Sequence, residues 1–298
     1  MNNNELITEN NRKYLEKKQS ISYKMCESFL VLANTVLKGD IAEFKRTAKR
    51  KRINLQIRFH TTGKKRLPQK KTTYRNEKIA VYTVLFGNID TLIEPLVIDD
   101  NCDYFVITDQ EIPEDSTWKM LDADLSIVSG YSNRKKNRYY KMHSHELFKD
   151  YAYYVYLDAN IYIYGLISDL VSYINPKTGI GVHNMPNRGN IYEEIYARSL
   201  IDPRDSDLLE KQRKDYQQNG FVNDEGMFEC NVLVMSNTDK CKEIMERWWK
   251  EYEKYPARDQ VSFPYVLWEL GISQDDIGII GNCMRLNPRF RIKEHIIQ

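Results

Sequence analysis

The sequence predicts an α/β fold in which helices cover a largely parallel central sheet. From residue 78 onward, short runs of β-branched and aromatic residues alternate with stretches whose apolar residues recur at helical spacing. Alternation of this kind is typical of strands joined by helical crossovers. The predicted strands span residues 78–86, 104–108, 125–128, 153–157, 180–183 and 230–235, and the predicted helices span residues 138–148, 191–199, 205–218, 238–253 and 259–270.

The residues before this domain are predicted to form a basic helical extension. Residues 1–78 hold 20 Lys and Arg against 7 Asp and Glu, whereas the other 220 residues hold 24 against 35. Apolar residues between positions 11 and 58 recur about every 3.6 residues, and Gly39-Asp40 predicts a break between two helices. We therefore divide the chain into the basic extension, residues 1–77, and the main domain, residues 78–298.

The charge of the basic extension leaves three interpretations open. It could bind an anionic membrane surface, pack on the main domain or another subunit, or bind nucleic acid. No zinc-finger or RNP-type motif accompanies the basic residues, so nucleic acid is the least favoured of the three.

Several function classes are disfavoured by composition and motifs. The longest nearly uninterrupted apolar run, residues 29–37, is far shorter than the roughly 20 residues of a membrane-spanning helix, and no secretory signal is recognisable. The five cysteines are widely spaced and include no Cys-x-x-Cys pair, which argues against disulfides and thiolate zinc and favours the cytoplasm. Neither a dinucleotide-binding glycine motif nor a phosphate-binding loop is present.

The segment Tyr156-Leu-Asp-Ala-Asn160 is the central chemical signal. Asp158 and Asn160 stand two residues apart at the end of an apolar strand, so both side chains can face one hard cation that clamps a diphosphate. Ligands of parallel sheets bind beyond the carboxyl ends of the strands, which is where this segment lies. An Asx-capped turn would produce the same letters, so the motif alone leaves both interpretations open.

The main domain resembles a known family through several segments. Residues 140–161, 228–235 and 258–260 are similar to glycogenin-like and lipopolysaccharide galactosyltransferases, in which a basic helical residue precedes a strand reading roughly Tyr-Leu-Asp-Ala-Asp. A closer resemblance is to a glycosyltransferase-like family formerly of unknown function, found in plant mucilage and pectin factors and in bacterial polysaccharide clusters. Residues 82–90, 105–109, 137–141 and 258–263 carry it, and it covers residues 78–298 without the basic extension.

The resemblance implies a GT-A fold that transfers a sugar from a nucleotide-diphosphate donor, with a UDP-sugar favoured. Tyr82, Thr83 and Asp109 would border the nucleoside. Arg138 and Lys141 would approach the diphosphate, since a spacing of three places both on one helical face. A solvated basic face is the alternative for that pair.

A divalent cation, Mn²⁺ or Mg²⁺, is also implied by the resemblance. Asp158 and Asn160 would hold it, and His295 stands where such enzymes place a C-terminal histidine ligand. Asn160 replaces the family's second carboxylate, which removes a negative charge and should weaken the metal site. Metal dependence is therefore an open hypothesis.

Transfer to an acceptor hydroxyl by inversion needs a carboxylate base. Asp259, followed by Gln260 on the donor side, is the first candidate, either as base or as a ligand of a sugar hydroxyl; a helix N-cap is its structural alternative. Glu225 and Glu229 are second candidates on the acceptor side.

Two further residues could reach the sugars. His183, after its strand, and Arg188 could contact the donor sugar or the acceptor, although a histidine satisfied by the backbone is equally compatible with the sequence.

These observations predict a cytoplasmic glycosyltransferase of surface polysaccharide assembly, such as capsule or O-antigen. Its acceptor would be a growing or lipid-linked glycan, and its basic extension would hold it on the inner membrane face. Two rivals are a catalytically silent module that binds nucleotide sugar or glycan, suggested by Asn160, and a nucleic-acid-associated protein that uses the basic extension.

Overall fold

The computed structural model describes residues 2–19, 45, 48, 66–72, 77–87 and 91–293. The helices of this part of the chain are α1 (Asn3–Gln19), α2 (Asn133–Met142), α3 (Ser144–Leu147), α4 (Ile191–Ile201), α5 (Ser206–Gln218), α6 (Asp239–Lys254) and α7 (Asp259–Glu269). The strands are β1 (Ile79–Leu85), β2 (Cys102–Thr108), β3 (Lys119–Met120), β4 (Tyr153–Asp158), β5 (Ile161–Ile163), β6 (Ile180–Asn184), β7 (Phe228–Ser236), β8 (Gly278–Gly281) and β9 (Phe290–Ile292). Within these ranges, no helix is both long and apolar enough to span a bilayer.

A seven-stranded sheet organises the main domain in the order β3-β2-β1-β4-β7-β6-β8. Strand β7 runs antiparallel to β4 and β6, and the other pairings are parallel, which confirms the predicted α/β class and mostly parallel sheet. Strands β5 and β9 form a separate antiparallel pair. Since β7 is reversed, its beginning lies at the sheet edge where β1, β2 and β4 end.

The core lies on both faces of this sheet. All seven residues of β1 are buried, as expected of a parallel strand covered on both sides. On one face, Tyr82 and Tyr156 pack with Phe148 and Trp248. Fixing these rings under α2, α6 and α7 holds the three helices against the strands whose ends carry the predicted site.

One predicted strand is wrong. Residues 125–128 form a 3₁₀ turn, in which the side chain of Asp124 accepts a hydrogen bond from the Ser126 amide at 2.9 Å. Leu125 and Ile127 are exposed, so the apolar letters do not mark a core strand. The third parallel strand is instead the two-residue β3, and the short strands β5, β8 and β9 have no counterpart among the predictions.

The predicted helix at residues 138–148 is two helices. Helix α2 begins earlier, after Ser132, whose hydroxyl caps the Lys135 amide. It ends at His143, and α3 follows at once. The earlier start adds more than one turn to α2 ahead of Arg138.

Part of the basic extension packs on the main domain. The Asn11 side chain in α1 donates to the carbonyls of Pro288 and Phe290 at 2.8 and 3.2 Å and accepts from Arg291. Helix α1 agrees with the helical prediction at residues 11–19 but begins earlier. Most of the predicted stretch at 20–58 lies outside the described residues.

Arg66, near the end of the basic extension, is a second attachment. It is 8% exposed, its guanidinium pairs with Glu225 and Asp275 at 3.1 and 3.0 Å, and it also donates to the Glu225 carbonyl. Its own carbonyl accepts from the Asn184 side chain. These contacts join the basic extension to the segments before β7 and β8.

We expect Arg66→Ala to lower the free energy of unfolding by about 1–3 kcal/mol, because buried acceptors and two carboxylates lose their partner. Denaturant unfolding at neutral pH measures the change. Lys70→Ala, an exposed residue of the same segment, is the matched control and should stay within about 0.5 kcal/mol of wild type. Equal effects of the two substitutions would contradict the attachment.

Candidate active site

A buried charge cluster lies beside the edge where β1, β2 and β4 end. Lys141 Nζ contacts Asp259 Oδ2 at 2.6 Å, and Arg138 Nε contacts the same oxygen at 2.9 Å. The side chains of Lys141 and Asp259 are 1% and 3% exposed, and that of Arg138 is 18% exposed. The spacing of three in α2 thus brings both cations to the first residue of α7.

Aromatic rings enclose this cluster. The Lys141 ammonium lies 5.0 Å from the centre of the Tyr156 ring and 5.4 Å from that of Trp248. Trp248 in α6 donates its indole N–H to the Asp259 carbonyl at 3.0 Å, which ties the start of α7 to α6. Lys141 is therefore closed off from a ligand and positions Asp259.

The protonation of Asp259 is set by its cationic neighbours. Burial alone would raise the pKa of this carboxyl, but the charges of Arg138, Lys141 and Arg258 outweigh it and hold the pKa well below its ordinary value. Asp259 stays ionised at neutral pH and has little affinity for a proton. Of the two predicted roles, a low proton affinity favours that of a hydrogen-bond acceptor over that of a general base.

Asp158, at the end of β4, lies close to this cluster. Tyr156 donates its hydroxyl to Asp158 Oδ1 at 2.7 Å. Arg138 contacts Asp259 at 2.9 Å and also interacts electrostatically with Asp158. This is the most exposed cation of the cluster and the one that a ligand can reach.

The predicted metal site is only partly represented. In the described part of the chain, no three or more His, Cys, Asp and Glu residues come together as a metal-binding group. Asp158 and Asn160 supply two oxygen-bearing side chains, and His295 lies outside the described residues. The described side chains do not complete a donor set, so the metal site stays a prediction.

Two of the three residues predicted to border the nucleoside lie beneath the site. Tyr82 is fully buried and donates its hydroxyl to the Lys141 carbonyl at 3.1 Å, and Thr83 donates to the Leu157 carbonyl at 2.9 Å. Asp109, directly after β2, is exposed and accepts from the Gly87 amide at 2.9 Å. Of these three, Asp109 alone has an exposed side chain.

Glu229 is the second residue of β7. Its proton affinity is suited to acid–base chemistry. Burial raises its pKa to about 7, although its carboxylate accepts from the Met284 amide at 2.6 Å and lies near Arg285 and Arg258. Gln260 donates its side-chain amide to the Phe228 carbonyl at 3.2 Å. Gln260, which follows Asp259, therefore contacts Phe228, which precedes Glu229.

The structure places the remaining predicted residues away from this cluster. Glu225, in the segment before β7, pairs with Arg66 at 3.1 Å. His183 is fully buried, its Nε2 lies 3.0 Å from the Asn287 side-chain amide, and burial lowers its pKa to about 3. It is therefore neutral and enclosed.

Arg188 belongs to a second buried cluster, around Glu194 of α4. The Glu194 side chain is 1% exposed and lies 2.9 Å from Arg188, 2.8 Å from Arg198 and 3.4 Å from Arg258. Burial would raise the pKa of Glu194, but the arginines lower it, so the carboxylate is ionised. The sequence offered a weak signal for it, since Glu194 and Arg198 are four residues apart on one helix.

Between the two clusters lies a cavity of about 150 Å³, which we call the arginine cavity. Its lining residues are Arg134, Arg138, Arg198, Asp202, Asp205, Leu209, Ala257, Arg258 and Asp259. Asp259 and Arg138 therefore face a space that can admit a ligand.

Asn231 is a polar residue of the site edge that sequence reasoning missed. Strand pairing matches Leu157 with Val232, so the next position brings Asn231 beside Asp158. Its side-chain oxygen is buried and has no hydrogen-bond partner among the described residues. An amide inside the apolar run 230–235 was the signal that could have found it.

We expect Asp259→Asn to destabilise the protein more than Lys141→Met. The first leaves the buried Lys141 ammonium without its carboxylate, which costs about 3–5 kcal/mol, whereas the second leaves Asp259 paired with Arg138. Denaturant unfolding of both variants tests the order, and the double variant should recover part of the loss. A larger loss for Lys141→Met would contradict this arrangement.

Comparison with known proteins gives a family match. The sequence model of the family described as TOD1/MUCI70, glycosyltransferase-like domain, matches residues 98–288. A search of curated protein sequences gives no significant match.

Several solved structures that resemble the chain are glycosyltransferases. The galactosyltransferase LgtC in complex with donor and acceptor sugar analogues is 15% identical, with 68% of this chain and 72% of that chain covered and a TM-score of 0.38. Mouse xyloside xylosyltransferase 1 is 9% identical, with 74% and 96% covered and a TM-score of 0.40. The mannosyltransferase Ktr4p of S. cerevisiae is 10% identical, with 72% of each chain covered and a TM-score of 0.34. Since the family match spans more than half of the chain, the protein belongs to the TOD1/MUCI70 family of glycosyltransferase-like domains.

Proposed function

We propose that the protein transfers a sugar from a nucleotide-diphosphate donor, a UDP-sugar, to a hydroxyl of a glycan acceptor. The proposal rests on Arg138, a partly exposed cation that pairs with Asp259 and interacts electrostatically with Asp158, the last residue of β4. A family of glycosyltransferase-like domains supports the reaction class.

Arg138 is the group best placed to stabilise the leaving diphosphate. As the bond between the donor sugar and its phosphate breaks, negative charge grows on the departing oxygen, and a preorganised cation lowers the energy of that state. Asp259 would accept a hydrogen bond from a hydroxyl of the donor sugar. Lys141 keeps Asp259 ionised and in place without touching the ligand, which revises its predicted contact with the diphosphate.

Glu229 is our candidate for the base. A carboxylate with a pKa near the working pH can take the acceptor proton as the new glycosidic bond forms. Asp259 is less suited because its pKa is held low.

The polysaccharide acceptor and the membrane surface remain proposals that rest on the family resemblance and on charge. The densest basic run, residues 45–52, lies largely outside the described residues. Because α1 and Arg66 contact the main domain, neutralising that run is a cleaner test of vesicle binding than deleting the extension.

A silent nucleotide-sugar-binding module is the second candidate, favoured by Asn160 in place of a carboxylate. One assay separates the two. The full-length protein is incubated with UDP-, GDP- and CMP-sugars, with and without a mixture of oligosaccharide acceptors, and with Mn²⁺ or with EDTA. Binding and nucleotide release are both measured. Release that depends on the acceptors supports a transferase, and binding without release supports the silent module. The absence of both binding and release would contradict both candidates.

We expect Glu229→Gln to lower turnover by at least about 100-fold without weakening donor binding, because it removes the base but not the donor contacts. Glu243→Gln, an exposed carboxylate of α6, is the matched control and should behave as wild type. Equal activity of Glu229→Gln and wild type would exclude Glu229 as the base.

The pH dependence gives a second test of Glu229. Activity should rise as the pH passes about 7, where the carboxyl loses its proton. The raised folded pKa also means that the free energy of unfolding falls as the pH rises from 4.5 to about 7, by about 1–3 kcal/mol. Unfolding of wild type and Glu229→Gln at pH 4.5 and pH 8 measures this, and the variant should lack that fall. Parallel pH dependence in the two proteins would contradict the assignment.

A further inference from the structure

The arginine cavity holds more positive charge than its own carboxylates neutralise. Two of its acids are already engaged at the rim, where Asp205 pairs with Arg134 at 2.6 Å and Asp202 pairs with Arg204. Asp259 is shared by Arg138 and Lys141. The remaining arginines must therefore find negative charge elsewhere.

Behind the cavity, a single carboxylate serves three guanidinium groups. Glu194 contacts Arg188, Arg198 and Arg258. The contact with Arg258 is the longest: its buried Nε lies 3.4 Å from Glu194 Oε1 and makes no hydrogen bond within the described part of the chain. Burial and the neighbouring charge of Arg198 both lower the pKa of Arg258, as expected where like charges are held together.

The cavity is large enough for a ligand group. A single water molecule needs about 10–15 Å³, so a volume of about 150 Å³ admits a carboxylate or a phosphate ester together with part of a sugar ring. Guanidinium groups bind both anions through paired N–H donors. The volume of the cavity and its excess of positive charge therefore both favour an anionic ligand.

The position of the cavity separates it from the nucleoside end of the donor site. Asp109, the exposed strand-end acid, follows β2, on one side of β4. Arg198 lies in α4, which follows β6 on the other side of β4 and packs on α5 and α7. Arg138 and Asp259 line the cavity and also belong to the charge cluster around Lys141.

We propose that the arginine cavity binds the anionic group of an acidic acceptor sugar, either a carboxylate or a phosphate ester. The inference rests on the proposed sugar transfer and names the class of acceptor. Arg198 and Arg258 hold the anion, while Asp259 separates it from the donor sugar. The negative charge of such an acceptor offsets part of the positive charge of the buried arginines.

The test is a ligand-observed NMR titration of the full-length protein with D-glucuronate, glucose 6-phosphate and D-glucose, with and without saturating UDP. At least one acidic sugar should bind about tenfold or more tightly than glucose, which corresponds to one charge-assisted contact. Binding of D-glucuronate would identify a carboxylate as the preferred anionic group, and binding of glucose 6-phosphate would identify a phosphate ester. In either case the acidic sugar should stay bound when UDP is present.

Arg198→Gln should weaken binding of the acidic sugar by about tenfold, because it removes one guanidinium from the cavity. Arg213→Gln is the matched control, since it changes a comparably exposed, ion-paired arginine of α5 outside the cavity. The thermal midpoint of each variant shows that it is folded.

Three results would overturn the proposal: glucose that binds as well as both acids, an Arg198→Gln variant that binds like wild type, or displacement of the acid by UDP. UDP titrated into the same samples reports on the donor site separately. UDP binding without binding of either acid overturns the acceptor class alone, whereas no binding and no turnover of any nucleotide sugar overturns the proposed function.

Discussion

The contact between Lys141 and Asp259 is the constraint on which the site depends. It joins α2 to the first residue of α7 inside the core, where neither charge is solvated and the Lys141 ammonium depends on Asp259 for its counter-charge. Trp248 and Tyr156 close the remaining space around the ammonium. With Asp259 fixed in this way, Arg138 is held on the same carboxylate, with more of its side chain exposed than that of Lys141, so a diphosphate can reach it.

Excess positive charge is the second organising feature. Buried arginines around Glu194 and Asp259 repel one another, so their arrangement costs stability unless a ligand supplies negative charge. A diphosphate at Arg138 and an acidic group at Arg198 and Arg258 would each offset part of that cost. On this account, binding affinity arises from charge that folding leaves uncompensated, and Glu229 adds a carboxylate whose protonation changes near neutral pH.

Local patterns in the sequence were sufficient for much of the fold but for less of the site. The long buried strands β1, β4 and β7 and the amphipathic helices α5 and α6 were predictable because their periodicity is set locally. Residues 125–128 were misassigned because a capped 3₁₀ turn has the same letters as a short strand. Arg138, Lys141 and Asp259 were identified, but their mutual contact joins residues 118 positions apart, which spacing cannot show. Arg198, Arg258 and Asn231 were missed for the same reason.

A crystal structure of the full-length protein with a bound UDP-sugar tests the central claim most directly. The account predicts a phosphate oxygen within hydrogen-bonding distance of the Arg138 guanidinium, about 3 Å. It also predicts that the uracil ring lies beside Asp109 and that the Lys141–Asp259 contact is unchanged. A diphosphate bound elsewhere on the molecule, with Arg138 still paired to Asp259 and untouched by the ligand, would contradict it.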